Sequence, residues 1–234
     1  MAHGVRFAAV LMAAGAGSRM GHKPKSLLQR EGEALIHRNA RQLLLAGASP
    51  VVVVLGHYAQ AIGAALQGLS VQTVLNPDPD QGLVSSQRLG LQAVAKHSDA
   101  VIMALADQPL VNAQDIQDLM HAFATRPSGT EMLFPWVHAQ PGNPVLLSAV
   151  AVNHILQGDA SFGCKEWRQS HPAQTHRLAT DNTHFTTDLD HPQDLVNLRE
   201  QHGIQPGQIE KITALIAQET AHIIAEPVAL KKKP

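Results

Sequence analysis

The chain has 234 residues, 44% of them hydrophobic, which suits one large α/β domain or a domain with a short appendage. Eighteen Lys and Arg stand against 19 Asp and Glu, and only 3% of residues are aromatic. That excludes the positive field and the stacking surface of a nucleic-acid binder. The single cysteine, Cys164, excludes an internal disulfide framework and a zinc knuckle and fits a reducing compartment.

The apolar stretch from Val5 to Ala14 is bracketed by Arg6 and Arg19 and runs into a Gly-rich loop, so it does not read as a signal peptide. No apolar run approaches the ~20 residues that span a bilayer. The expectation is a soluble, cytoplasmic protein that contacts no membrane.

Apolar runs alternate with amphipathic stretches along the chain. Phe7–Met12 is a short buried strand, Ile36–Ala46 a helix stopped by Gly47, and Val51–Leu55 a strand buried on both faces. Ala59–Leu66 is a helix, Val71–Leu75 a strand, Ser85–Ala95 a helix, Ala100–Ala106 another buried strand, and Asp115–Ala124 a helix. Met132–Pro135 and Val145–Ser148 are short strands, and Ala149–Leu156 is a helix. A further helix is expected after the loop GDASFG, then a last strand over Phe185–Leu189 and a helix over Pro192–Gln201 with Pro in its first turn. This alternation predicts a three-layer α/β/α fold with a mostly parallel sheet, Rossmann-like in its layering. The main domain is expected to cover 1–203. From 204 to 234 a mostly helical stripe (Ile209, Ile212, Leu215, Ile216, Ile223, Ile224) leads to a basic KKKP tail.

Ligands of such sheets sit beyond the carboxyl ends of the strands. The first strand runs into AAGAGSRMGHKPK, residues 13–25. Gly15, Gly17 and Gly21 let the backbone N–H groups approach a ligand, and Arg19 and Lys25 add a forked cation and a point cation. The set suits a triphosphate. It is not a P-loop, because Gly21-His22-Lys23-Pro24 lacks the GKS or GKT ending. A dinucleotide fingerprint is disfavoured too: the third glycine is displaced, and the second strand ends in Leu55-Gly56-His57-Tyr58 without a carboxylate.

Asp107 directly follows the buried strand before it, where a Mg²⁺ ligand must stand to meet a nucleotide. Asp188 and Asp190 flank Leu189, and alternation in the expected strand would point both to one face. Mg²⁺ takes only one or two protein carboxylates, so Asp107 plus one of this pair suffices. Asn76, Gly82, Ser85 and Ser86 could cradle base and ribose, or could serve as turn and cap residues. His57 could touch a ligand or be a satisfied loop residue. No base or partner accompanies Cys164, which reads as structural or as a wall of the acceptor site.

Several of these segments, in order over about residues 5–200, resemble the MobA-like nucleotidyltransferases. They are AAGAGSRMGHKPK, VVVVLGHYA (51–59), NPDPDQGLVSSQRLGL (76–91), ALADQPLV (104–111), PGNPVLL (141–147) and DLDHPQDL (188–195). Within that family the loop's Ala-Ala-Gly, the DQP turn and the Ser-Ser pair are most similar to molybdenum cofactor cytidylyltransferases. The resemblance implies transfer of CMP from CTP to the phosphate of molybdopterin with release of pyrophosphate. It also implies Mg²⁺ or Mn²⁺ on Asp107 and Asp190, with Asp188 in reserve, and a molybdoenzyme as partner. Ala13, Ala14, Gly15, Gly17, Arg19, Lys25, Asn76, Gly82, Ser85 and Ser86 would bind the nucleotide, and Lys25, Arg19 and Asp107 would carry catalysis. A methyl at position 14, where a guanylyl branch has glycine, would favour CTP over GTP and ATP. Asn143 stands where those proteins usually have His, and GDASFGCK (158–165) is two residues longer than their segment. Asn143, Asp159 and Lys165 are therefore the acceptor-side candidates, and another phosphorylated acceptor, such as a sugar or alditol phosphate, or the use of GTP, is the alternative. An NAD-binding oxidoreductase and a non-catalytic binding module are the readings from other classes.

Overall fold

A computed structural model describes residues 4–17, 24–96, 98–191, 193, 194 and 196–198. Arg19 and Gly21, the apolar stripe 204–234 and half of the expected helix 192–201 lie outside the described residues.

Strand β1 (Phe7–Ala13) is apolar at every position and buried at every position. It lies between β4 (Val51–Leu55) and β6 (Ala100–Leu105), parallel to both. A strand with parallel neighbours on each side and helices over both faces must be apolar throughout, as FAAVLMA is. The sheet has eight strands in the order β10-β7-β9-β6-β1-β4-β5, with β8 (Gln140–Pro141) paired to β7. Here β5 is Gln72–Leu75, β7 is Met132–Val137, β9 is Val145–Ser148 and β10 is Thr175–Ala179; β2 (Gln29–Arg30) and β3 (Glu33–Ala34) form a separate two-stranded ribbon. Pairing is parallel except where β9 runs against β6 and β7 and where β8 turns back on β7.

Alternation along β1 divides the core into two layers. Phe7, Ala9, Leu11 and Ala13 face one cluster, with Ile36, Ala40 and Leu43 of α1 (Leu35–Leu45), Ile62 of α2 (Ala59–Ala65), and Ile116, Leu119 and Phe123 of α4 (Ala113–Ala124). Ala8, Val10, Met12 and Ala14 face the other, with Leu91 and Val94 of α3 (Leu83–Val94), Ala151, Val152 and Ile155 of α5 (Ala149–Gln157), and Trp167 of α6 (Cys164–Ser170). The result is the expected three-layer α/β/α arrangement. No helix among the described residues is long and apolar enough to cross a membrane.

The last expected strand requires correction. Residues Thr183–Thr186 form a 3₁₀ turn, and the edge strand is instead β10, Thr175–Ala179. Phe185 is buried, and its carbonyl accepts from Gln108 Nε2 and from the Asn143 amide, so the segment is held by side-chain and loop donors rather than by a ladder.

The connection topology places the site. From β1 the chain passes to β4 and β5 on one side, and then α3 carries it across to β6 on the other. The carboxyl ends of β1 and β6 therefore flank the switch in strand order, where an open α/β sheet leaves a crevice.

Candidate active site

A cleft of about 770 Å³ opens at that switch. Its floor is the end of β1 continuing through Ala14, Gly15, Ala16 and Gly17; its walls include Lys25, Asp107, Asp190, His57, and Gly82 and Ser86 at the start of α3. Two contacts from the corner after β4 shape the glycine loop. The His57 amide donates to the Ala14 carbonyl at 3.3 Å, and the Tyr58 hydroxyl to the Ala16 carbonyl at 3.4 Å. Gly17 has φ 62°, a left-handed value that favours glycine. At Gly56 a side chain is impossible, because its Cβ would come within 2.8 Å of the Ala14 carbonyl and methyl.

Lys25 is the centre of the charged group. A single 3₁₀ turn, Lys25–Leu27, delivers its side chain into the cleft, where Nζ lies 2.7 Å from Asp190 Oδ1 and 3.8 Å from Asp107 Oδ2. Two carboxylates thus share one ammonium. Burial raises the Asp107 carboxyl above its ordinary range, against the pull of Lys25. Asp107 does not cap the following helix; Asn112 and Asp115 do so with a reciprocal capping box.

The segment 187–190 is irregular, so strand alternation does not orient its carboxylates, and the two diverge. Asp190 reaches Lys25. Asp188 is pushed up to about 6, first by burial and then by the Asp107 charge, against a side-chain hydrogen bond from Gln108, and its Oδ1 is buried without a hydrogen-bond partner among the described residues. Among the described residues no group of three or more His, Cys, Asp or Glu converges on one point. The donor set at Asp107 and Asp190 is hard oxygen, and their joint hold on one cation is an observed charge complement. Both fit a Mg²⁺ or Mn²⁺ that brings its own waters.

The other sequence candidates divide. Gly82 and Ser86 line the cleft; Asn76 and Ser85 do not. Asn76 Nδ2 donates to both Ser85 Oγ and Ser86 Oγ at 2.9 Å, and its Oδ1 accepts from the Asp78 amide, so it braces the rim from behind. Asn143, Asp159 and Lys165 do not line the cleft. The Asn143 amide is bound to the Phe185 carbonyl, Asp159 accepts from Ser161 in a tight exposed turn, and Lys165 is exposed on α6. Cys164 is buried in the second core layer and its thiol is pushed up to about 12 by burial, which suits a structural thiol. Sequence reasoning did not reach the pairing of His57 Nε2 with Asp80 Oδ1 at 3.1 Å across the cleft rim. The Asp in NPDPDQG was visible, but a pairing across 23 positions leaves no local pattern.

With this geometry in view, the similarities are specific. The MobA-like NTP transferase domain matches residues 9–176. The chain belongs to that family. Nicotine blue oxidoreductase of Paenarthrobacter nicotinovorans is 38% identical over 111 residues, 47% of this chain and 54% of that protein. The match thus spans about half the length of that relative and about a quarter of the bifunctional GlmU proteins, such as that of Sorangium cellulosum, 35% identical over 121 residues. A nucleotidyl transferase from Methanothermobacter thermautotroptrophicus superposes with a TM-score of 0.70 at 24% identity, covering 84% of this chain and 97% of that one. Rv0371c of Mycobacterium tuberculosis in complex with manganese gives a TM-score of 0.64 at 24% identity, covering 83% and 98%. These two structures establish the shared Rossmann-like fold.

Proposed function

We propose that this chain is a divalent-metal-dependent nucleotidyltransferase that joins the nucleoside monophosphate of an NTP, CTP in preference, to a phosphate-bearing small molecule. One observation carries the reading. Lys25, Asp107 and Asp190 come from three separate stretches of chain and meet as one cation with two carboxylates in a glycine-floored cleft. Family membership and a manganese-bound structural neighbour support it.

An ionised acceptor phosphate is its own nucleophile, since its second pKa is ~6, and needs no general base. The residues' work is then positioning and charge neutralisation at the α-phosphate. Asp107 and Asp190 would hold Mg²⁺ or Mn²⁺, which supplies charge neutralisation to phosphate oxygens. Lys25 would turn from the carboxylates to the α-phosphate, the amides of residues 14–17 would bind phosphate oxygens, and Arg19 would stabilise leaving pyrophosphate. Molybdopterin is the acceptor that the sequence resemblance supports, and Asn143, Asp159 and Lys165 are its proposed contacts, to be read in the acceptor KM. Steric exclusion by the single Ala14 methyl is worth only ~1–3 kcal/mol, so its effect on base choice should be about one or two decades rather than absolute.

The test is pyrophosphate release with each of four NTPs and a panel of phosphorylated acceptors. Asp107→Asn and Lys25→Ala should each lower turnover by ~10²–10³, as loss of one preorganised charge commonly does, and chelation should abolish it. Near wild-type turnover in either well-folded variant overturns the site. The relative named an oxidoreductase favours a second reading, redox chemistry on the same fold. Oxidation of a reduced nicotinamide nucleotide without pyrophosphate release would select it.

A further inference from the structure

The turn that bears Asp107 is clamped from beneath. The amide of Asn39, buried in α1, donates to the carbonyls of Leu105, Ala106 and Gln108 at 3.4, 3.2 and 3.1 Å. Arg30 binds the Pro109 carbonyl at 2.9 Å and Arg38 the Val111 carbonyl at 2.6 Å. The segment that bears Asp190 lies outside the sheet. It is stitched to the clamped turn: the Leu189 amide donates to the Asp107 carbonyl at 3.1 Å, and Gln108 Nε2 donates to the Phe185 carbonyl at 3.0 Å.

We propose that Gln108 is a positioning residue, whose side-chain bond to the Phe185 carbonyl sets the spacing of Asp107 and Asp190 for a divalent cation. The inference rests on the metal reading above. Gln108 is only 1% exposed, and a buried amide costs desolvation that an apolar side chain of the same volume would avoid. Satisfying the Phe185 carbonyl does not explain it, because the Asn143 amide already donates there at 2.9 Å. Filling space does not explain it either, since Met would fill the same volume. The Gln108 amide also hydrogen-bonds the Asp188 carboxyl, so one donor side chain ties the clamped turn to the chain on both sides of Thr186 and Thr187, the stretch leading into Asp190. Such supporting partners typically change metal affinity by ~10–100-fold when removed.

The test uses the full-length protein and Mn²⁺ alone, without nucleotide. Free Mn²⁺ is followed by electron paramagnetic resonance during titration, beside metal-free thermal melting. Gln108→Met should melt close to wild type yet bind Mn²⁺ about tenfold more weakly. Gln108→Asn, which stays polar but is one methylene too short to span the gap, should show the same loss and serves if the Met variant does not fold. Asp107→Asn is the control. If it weakens Mn²⁺ binding while the Gln108 variants bind like wild type, the positioning role is overturned. If Asp107→Asn itself binds like wild type, the metal reading has failed.

Discussion

Strands β1 and β10 belong to one sheet but are held in different ways. Every residue of β1 is buried between two parallel neighbours and two helical layers, whereas no residue of β10 is fully buried and, among the described residues, only β7 pairs with it. The centre is fixed by packing, and its shape tolerates no added atoms. The edge is held by ring contacts, such as Arg177 over Trp136 with 4.6 Å to the centroid, and by hydrogen bonds from loops. The candidate site joins two kinds of support: Asp107 stands at the end of a central strand, and Asp190 on an irregular segment outside the sheet that hydrogen bonds tie back to the Asp107 turn.

The largest stability effect should come from adding one methyl to the centre. Gly90 of α3 faces β1 and β4, and a Cβ there would lie 2.3 Å from Val10 Cγ1 and 2.9 Å from Val54 Cγ2. Both valines are fully buried and stiff at χ1, so neither can swing away. Gly90→Ala should therefore cost ~3 kcal/mol or more, although alanine is the better helix former. Urea unfolding measures this, and a neutral or stabilised variant would show that the central layers can shift.

The same contrast explains what was legible in the sequence. The central strands announce themselves as apolar runs, and Val51–Leu55 and Val145–Ser148 are read to the residue. THRLA of β10 has neither an apolar run nor alternation and goes unread. FTTDL at 185–189 imitates a strand through its apolar ends and β-branched threonines, but Phe185 plugs the core and the main chain bonds to Gln108 and Asn143 instead. At the site, Asp107 follows from its place after a buried strand. Asp190 came through the resemblance, because strand alternation, had it applied, could not choose between it and Asp188. Gln108 and the Asn39 clamp could not be read, since hydrogen bonds over 77 and 69 positions have no local signature.

A smaller effect is expected from a partly exposed ion pair that joins the β2–β3 ribbon to α1. Arg41 binds both Glu33 oxygens, at 2.9 and 2.6 Å, and holds the Glu33 carboxyl down to about 2, with His37 assisting. A depressed carboxyl contributes stability above its unfolded value near 4.5 and loses it as the pH falls through about 2. Discounted for solvent screening, Glu33→Gln should cost ~1 kcal/mol at neutral pH. The difference from wild type should shrink between pH 4.5 and 2. A pH-independent difference would mean that packing, not charge, joins the ribbon to the helix.

The smallest effect should have the opposite sign, and it sits at the periphery. The β7–β8 hairpin turns through His138 and Ala139, with φ of 45° and 66°. A two-residue turn with both central residues left-handed is the type that matches strand twist, but it favours Asn and Gly. Alanine in that region costs ~1–2 kcal/mol because its Cβ crowds the carbonyl. Ala139→Gly removes the crowding. It also gives the unfolded chain more freedom, which takes back ~0.4–1 kcal/mol. The net should be a gain of ~0.5 kcal/mol, visible as a raised denaturation midpoint with an unchanged slope. Adding a methyl at Gly90 and removing one at Ala139 are inverse edits, and the strain each acts on has a different source. At Gly90 it is packing against the sheet, and at Ala139 it is local backbone geometry on an exposed tip. If Ala139→Gly is destabilising, the entropy of the unfolded chain outweighs the strain, and the hairpin tip is held by more than its own turn.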